Sequence, residues 1–194
     1  KLPFNRMKNI IYIILILLGA CTGSPKKTKA STQSPPEVVI PDSLIGKDLE
    51  GEDILLGAVS LIQLEHFSGS WLNEEKEFYK TDVEKIKKLQ PFLKGKKVKL
   101  YMGTWCEDSQ REVPGMIKIL EESGYPVFGL NIIALDENKL TPEGLEKKDE
   151  VFYVPTLIFF DKDNQEMNRI VEFPIESLEA DMLKILTGEP YKNA

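Results

Sequence analysis

Residues 97–135 read as a strand, a helix and a second strand, and this unit is what most restricts the fold. In Lys97-Val98-Lys99-Leu100-Tyr101-Met102 apolar and polar side chains alternate with the period of a pleated strand. Beyond Cys106, the residues Val113, Met116, Ile117 and Leu120 recur at helical spacing and share one face, and Gly124 sits where a C-cap glycine belongs. Val127 to Leu135 is mostly apolar, as expected of a strand buried on both faces. Parallel strands need a crossover of this kind, and a helix is the usual one. The unit therefore predicts an α/β sheet.

The flanks extend the pattern. Ser60 to Glu65 and Trp71 to Tyr79 read as short helices. Thr81 is placed to cap a further helix to about Leu89, with Glu84 completing a capping box, and Pro91 and Gly95 are expected to close it. Thr141-Pro142 opens a modest helix. Thr156 to Phe160 is a strand, Asp161 to Gln165 supplies turn chemistry, and Met167 to Val171 returns as a hairpin partner. Leu178, Met182, Ile185 and Leu186 mark a terminal amphipathic helix stopped by Gly188. Parallel pairing followed by a closing hairpin predicts a mixed central sheet with helices on both faces, a three-layer arrangement.

The N-terminal end carries a different signal. Met7-Lys8-Asn9 precedes an apolar run from Ile10 to Leu18, too short for a membrane span of about 20 residues but long enough for a signal-peptide core. Lys1 to Arg6 stand before this natural-looking start. The run ends in Leu18-Gly19-Ala20-Cys21, similar to the lipobox of bacterial lipoproteins. That resemblance implies cleavage before Cys21 and lipid attachment to its thiol, with two or three acyl chains making a stable anchor. Thr22 to Pro41, rich in Ser, Thr, Lys and Pro, reads as a flexible tether. The expected organisation is a signal peptide over 1–20, an anchored tether over 21–41, an N-terminal helical extension and the start of the globular domain over 42–96, and the core over 97–190.

Charge and cysteine usage narrow the partners. The net charge is −6 and no basic stripe interleaved with aromatics is present, which argues against nucleic acid. Lys85, Lys87, Lys88, Lys94, Lys96 and Lys97 read as a solvated helix face. Two cysteines and one histidine make neither a disulfide scaffold nor a metal centre, and Asp161 to Gln165 lacks the glycine and distal glutamate of a calcium loop. No metal and no cofactor are expected.

The chemistry concentrates at Thr104-Trp105-Cys106-Glu107-Asp108-Ser109, where the first strand of the unit meets its helix. A cysteine at a helix N-terminus faces unpaired backbone N–H groups and the positive end of the helix dipole, and both favour the reactive thiolate. Glu107 and Asp108 oppose them. Export would place this thiol among disulfides.

Trp105-Cys106-Glu107-Asp108-Ser109-Gln110-Arg111-Glu112-Val113-Pro114 resembles the active-site stretch of the thioredoxin family, in a Trp-Cys-x-Asp-Ser version associated with Bacteroidetes envelope proteins. Pro114 stands where that family carries a helix-kinking proline, and Val154-Pro155-Thr156 resembles its cis-proline loop. The resemblance covers about Asp82 to Gly188 and implies a thioredoxin-like fold, with Cys106 as nucleophile and with Trp105, Val154 and Pro155 beside the substrate. Two positions depart from the pattern. Ser109 replaces the resolving cysteine, and Leu100 stands where the family has a buried carboxylate. Ser109 retains a hydroxyl that could donate to a thiolate.

With Cys21 lipidated, Cys106 is the remaining thiol, so an internal dithiol cycle is closed to this chain. The expectation is monothiol exchange with protein thiols or disulfides, or with a low-molecular-weight thiol, at a periplasm-facing envelope membrane. The alternative is a redox-inactive module that docks a peptide or partner protein at the proline groove. Arg111 is expected to pair with Glu107 or Glu112; His66, Phe67 and Trp71 are expected in a cap or core.

Overall fold

The computed structural model describes residues 37–194. The signal peptide, Cys21 and the tether as far as Pro36 lie outside the described residues. The packed domain reaches slightly further back than the expected start at Asp42, because Ile40 already packs against the core.

Thirteen helices and strands follow the short 3-10 turn at Asp42–Leu44. They are β1 (Ile45–Lys47), β2 (Asp53–Leu55), β3 (Gly57–Val59), α1 (Leu61–Phe67), α2 (Trp71–Phe78), α3 (Val83–Leu93), β4 (Lys97–Met102), α4 (Glu107–Glu122), β5 (Asn131–Ala134), α5 (Leu145–Lys148), β6 (Thr156–Phe160), β7 (Glu166–Val171) and α6 (Leu178–Thr187). The main sheet has the order β3-β5-β4-β6-β7, and β1 and β2 form a separate hairpin. β4 and β5 run parallel across the α4 crossover, while β6 and β7 pair antiparallel with a bulge at Phe159/Phe160. The predicted α/β class, mixed sheet and flanking helices are all present.

The 42–96 segment is more than a helical extension. It also holds three strands of three residues each, and β3 pairs antiparallel with β5, Ala58 opposite Ile133. Such strands are too short to display alternation, and two of them contain glycine. Gly57 turns the chain from β2 into β3 at φ +82°, a conformation costly for any residue with a Cβ.

Three local expectations change. Asp82, not Thr81, caps α3: its carboxylate accepts from Glu84 and Lys85 N–H at 3.1 Å, while the Thr81 hydroxyl donates to Glu122 at 2.6 Å. Pro91 lies inside α3 rather than closing it, because a proline so near the C-terminus removes a single helical bond and Leu93 beyond it is buried. The apolar run before Leu135 is divided, with a 3-10 turn at Val127–Gly129 and strand only from Asn131. Val127 there fills the core while Phe128 faces solvent.

The helix foreseen at Thr141-Pro142 is confined to α5, four residues long. Thr141 instead builds a turn: its hydroxyl accepts from Leu145 N–H at 2.8 Å and donates to the buried Glu146 carboxylate at 2.8 Å. Other termini follow their signals. Ser60 and Gln63 form a reciprocal capping box on α1, Ser177 caps α6, and Gly124 and Gly188 end α4 and α6 with positive φ.

The two sheet faces are unequally covered. Val98, Leu100 and Met102 of β4 join Ile132, Leu157 and Phe159 under α3, α4 and α6 in the large core. On the opposite face Tyr101, Ile133 and Ile158 pack with Cys106, Leu135, Val151 and Val154 in a smaller cluster, covered by α5 and its loops.

Candidate functional site

β4 ends at Met102 and α4 begins at Glu107, so the four residues between must turn the chain and deliver Cys106 to the helix start. Cys106 N–H donates to Gly103 O at 3.1 Å, closing the turn, and Gln110 N–H donates to Cys106 O at 3.0 Å, opening the helix. Cys106 is thus the N-cap residue, and its side chain is not spent on capping. The Gln110 amide also donates to Thr104 O at 2.8 Å. A second tie comes from the N-terminal hairpin, where the Thr104 hydroxyl accepts from Leu55 N–H at 3.1 Å.

Gly103 is needed here for space. A Cβ on it would lie 2.6 Å from the Trp105 indole, which folds back over this turn. The indole N–H donates to Leu135 O at 2.8 Å, and the Lys139 ammonium stands 5.0 Å from the ring centroid. Trp105 therefore joins the end of β4 to the loop after β5 and packs against the cluster that holds Cys106.

The Val154–Pro155 peptide bond is cis, and the Cys106 thiol points at this loop, its Sγ 3.5 Å from Val154 O. Pro155 has no N–H, and its carbonyl already accepts from Glu172 N–H at 2.7 Å. The loop is further fastened by the Thr156 hydroxyl, which donates to Tyr153 O at 2.7 Å. Val154 is accordingly the residue whose backbone faces the sulfur. Cys106 is 9% exposed and lies at the margin of the smaller apolar cluster.

Ser109 is fully buried. Its hydroxyl accepts from Gly103 N–H at 3.1 Å, a bond that supports the turn. Arg111 pairs with Asp108 at 2.6 Å and Glu112 at 2.8 Å, so Glu107, one of the two expected partners, is not engaged. Leu100 is buried in the large core as an ordinary hydrophobe. Phe67 and Trp71 pack against that core as expected, whereas His66, in the last turn of α1, is exposed.

Beside Leu100, a polar group does enter the sheet, and sequence reasoning missed it. The Tyr101 hydroxyl donates to Asp149 at 2.7 Å, and Lys99 meets the same carboxylate at 2.5 Å. Burial works against the Asp149 charge, but Lys99 and the Tyr101 hydroxyl more than offset it and hold its carboxyl below the usual range. Burial, with the Asp149 charge behind it, pushes the Tyr101 phenol up. Tyr101 packs in the same cluster as Cys106 and Val154, so this network adjoins the cysteine end of the sheet. Nothing in the sequence joins Asp149 to Tyr101, since 48 positions separate them.

Residues 71–184 match a family model described as Thioredoxin. The chain belongs to the thioredoxin family. Among curated proteins none matches it. Solved structures share the thioredoxin-like shape. A protein of unknown function from Pseudomonas aeruginosa is 12% identical with a TM-score of 0.52, covering 68% of this chain and 93% of that one. An HIV epitope scaffold gives 12% identity and a TM-score of 0.52, over 69% and 94%. At that identity they speak for the fold alone.

Proposed function

We propose that this thioredoxin-family domain performs monothiol thiol–disulfide exchange through Cys106. The observation that carries the reading is the placement of the Cys106 sulfur at the N-cap of α4, facing the carbonyl before the cis-proline. The Cys106 thiolate attacks one sulfur of a disulfide, forms a mixed disulfide, and releases the other sulfur as a thiolate. An external thiol then attacks the mixed disulfide at the substrate sulfur, forming a new disulfide and returning Cys106 as thiolate. One disulfide is consumed and one is formed, one thiolate enters and one leaves, so the net change is exchange of partners and the domain ends unchanged. Among the described residues Cys106 is the free cysteine, and Ser109 cannot form the disulfide that would resolve the intermediate internally. Trp105 and Val154 would bound the approach of the substrate.

A second reading has its own support. The sulfur is largely covered, Ser109 is engaged by the turn, and Leu100 supplies no proton acceptor. These features favour a redox-inactive module that docks a peptide or partner protein at the Val154–Pro155 loop, where Phe152 and Tyr153 are 70% and 56% exposed. In either reading we place the domain at the bacterial envelope, periplasm-facing, held by lipid on Cys21.

The deciding experiment exposes the full chain to glutathione disulfide and follows its intact mass. The exchange reading expects a glutathione adduct on Cys106, removed by excess thiol and absent from Cys106→Ser. An adduct that forms only after denaturation would overturn exchange and leave docking.

A further inference from the structure

The smaller sheet face is only half roofed. Lys97, Lys99 and Tyr101 stand on that face by strand alternation, and α5, four residues long, covers the Tyr101 end with Leu145 and Val151. Toward the start of β4 the face is open, forming a groove of about 740 Å³ bounded by Lys97, Lys99, Asn131, Lys148 and Phe160, with Tyr125 at its rim. We propose that this groove binds a small planar organic anion.

Charge is the first argument. Three lysines and one aspartate line the groove of a chain whose net charge is −6, so the sign is reversed locally. Asp149 is already satisfied by Lys99 and by the Tyr101 hydroxyl. Among the described residues neither Lys97 nor Lys148 is paired with a carboxylate. Lys97 is steadied instead by the Asn164 carbonyl at 2.5 Å, which leaves an ammonium two donors to offer.

Shape and surface complete it. The floor is not an apolar patch suited to a second copy of the chain, since Lys99 and Asn131 sit side by side across β4 and β5. Its flat apolar element is Phe160, whose ring holds the Lys99 ammonium 5.2 Å from the centroid. Tyr125 at the rim is fixed by its hydroxyl, which accepts from Val98 N–H at 3.1 Å. A flat ring beside cationic tips suits a planar acid, and the volume lies within the roughly 300–1,000 Å³ of small-molecule sites. The groove opens at the start of β4, whereas Cys106 follows its end, so this site stands independently of the thiol chemistry.

The test uses the full chain and 2-naphthoate, read by amide shifts in NMR. Saturable shifts at Lys97, Asn131 and Phe160 are expected, weakening with salt, with the affinity of Lys97→Gln/Lys148→Gln lower by about ten-fold or more. Cyclohexanecarboxylate and inorganic phosphate are expected to bind more weakly than 2-naphthoate. Both lysines are exposed, and unchanged shifts elsewhere in the double variant check its fold. Absence of saturable shifts, equal affinity in the double variant, or equal binding of phosphate would each overturn the proposal.

Discussion

The Cys106 sulfur and the Val154 carbonyl oxygen lie 3.5 Å apart, joining two loops that are 48 residues apart in sequence. The thiol is therefore a donor to a fixed backbone acceptor. Deprotonation removes that donor and frees the Val154 carbonyl at the step when the thiolate forms. Ser109, one helical turn along, braces the turn by accepting from Gly103 N–H.

Ser109→Cys should convert the site from monothiol to dithiol. The new sulfur stands three residues along α4 from Cys106, and oxidation is expected to link the two. Thiol titration should then fall by two per chain on oxidation, and reduction of an added protein disulfide should no longer require a second thiol to release the product. Sulfur accepts more weakly than oxygen, so the loss of the Gly103 bond should lower stability by about 1 kcal/mol in urea melts.

Asp149→Asn should destabilise the domain by about 1–3 kcal/mol at neutral pH, because Lys99 loses the charge it faces and the Tyr101 hydroxyl a charged acceptor. The pH dependence has a definite sign. The folded Asp149 carboxyl is held below its unfolded value, so its contribution is complete above the unfolded pKa of about 3.9 and is lost as pH falls through the lower folded pKa. Urea midpoints of wild type and variant should differ at pH 7 and converge in strong acid.

Thr104→Val keeps the shape of the side chain and removes the acceptor for Leu55 N–H. Leu55 is buried, and leaving its amide unpaired should cost about 1–3 kcal/mol. Faster hydrogen exchange at Leu55 than at the strands of the main sheet would identify the hairpin as the part released.

Gly115→Ala sets two effects against each other. Alanine favours a helix by about 1 kcal/mol, but its Cβ would stand 2.8 Å from the Tyr79 ring and 3.0 Å from Leu178. Tyr79 cannot swing aside freely, since its hydroxyl donates to Glu179 at 3.1 Å. Overpacking of this kind costs about 1–3 kcal/mol, so a net loss of thermal stability is expected on calorimetry.

Elements with a strong period were legible in the sequence. Lys97–Met102 and the Val113, Met116, Ile117, Leu120 stripe announced β4 and α4, and the turn residues after Phe160 announced the β6–β7 hairpin. The Cys106 sulfur meets Val154 O at 3.5 Å, beside the cis bond to Pro155, and Trp105 packs on the same cluster. The remaining features arise from contacts distant in sequence. β1, β2 and β3 are three residues long and declare themselves only through partners such as Ile133. Whether Thr81 or Asp82 would cap α3 depended on which oxygen reached Glu84 and Lys85, and Thr81 was drawn away by Glu122. Asp149 carried no local signal at all, because its meaning comes from Lys99 and Tyr101.

The pairing of β3 with β5 reaches beyond the bonds it makes. The stretch matching the family begins at Trp71, so a fragment trimmed to it would contain Cys106, Pro155 and four of the five sheet strands. It would also bare the N–H and C=O row of β5 that Gly57–Val59 now occupies. Unprotected borders of this sort recruit strands from neighbouring molecules. Gly57–Val59 thus occupy a border that would otherwise be open, and a protein shortened past them would be expected to precipitate before its thiol could be assayed.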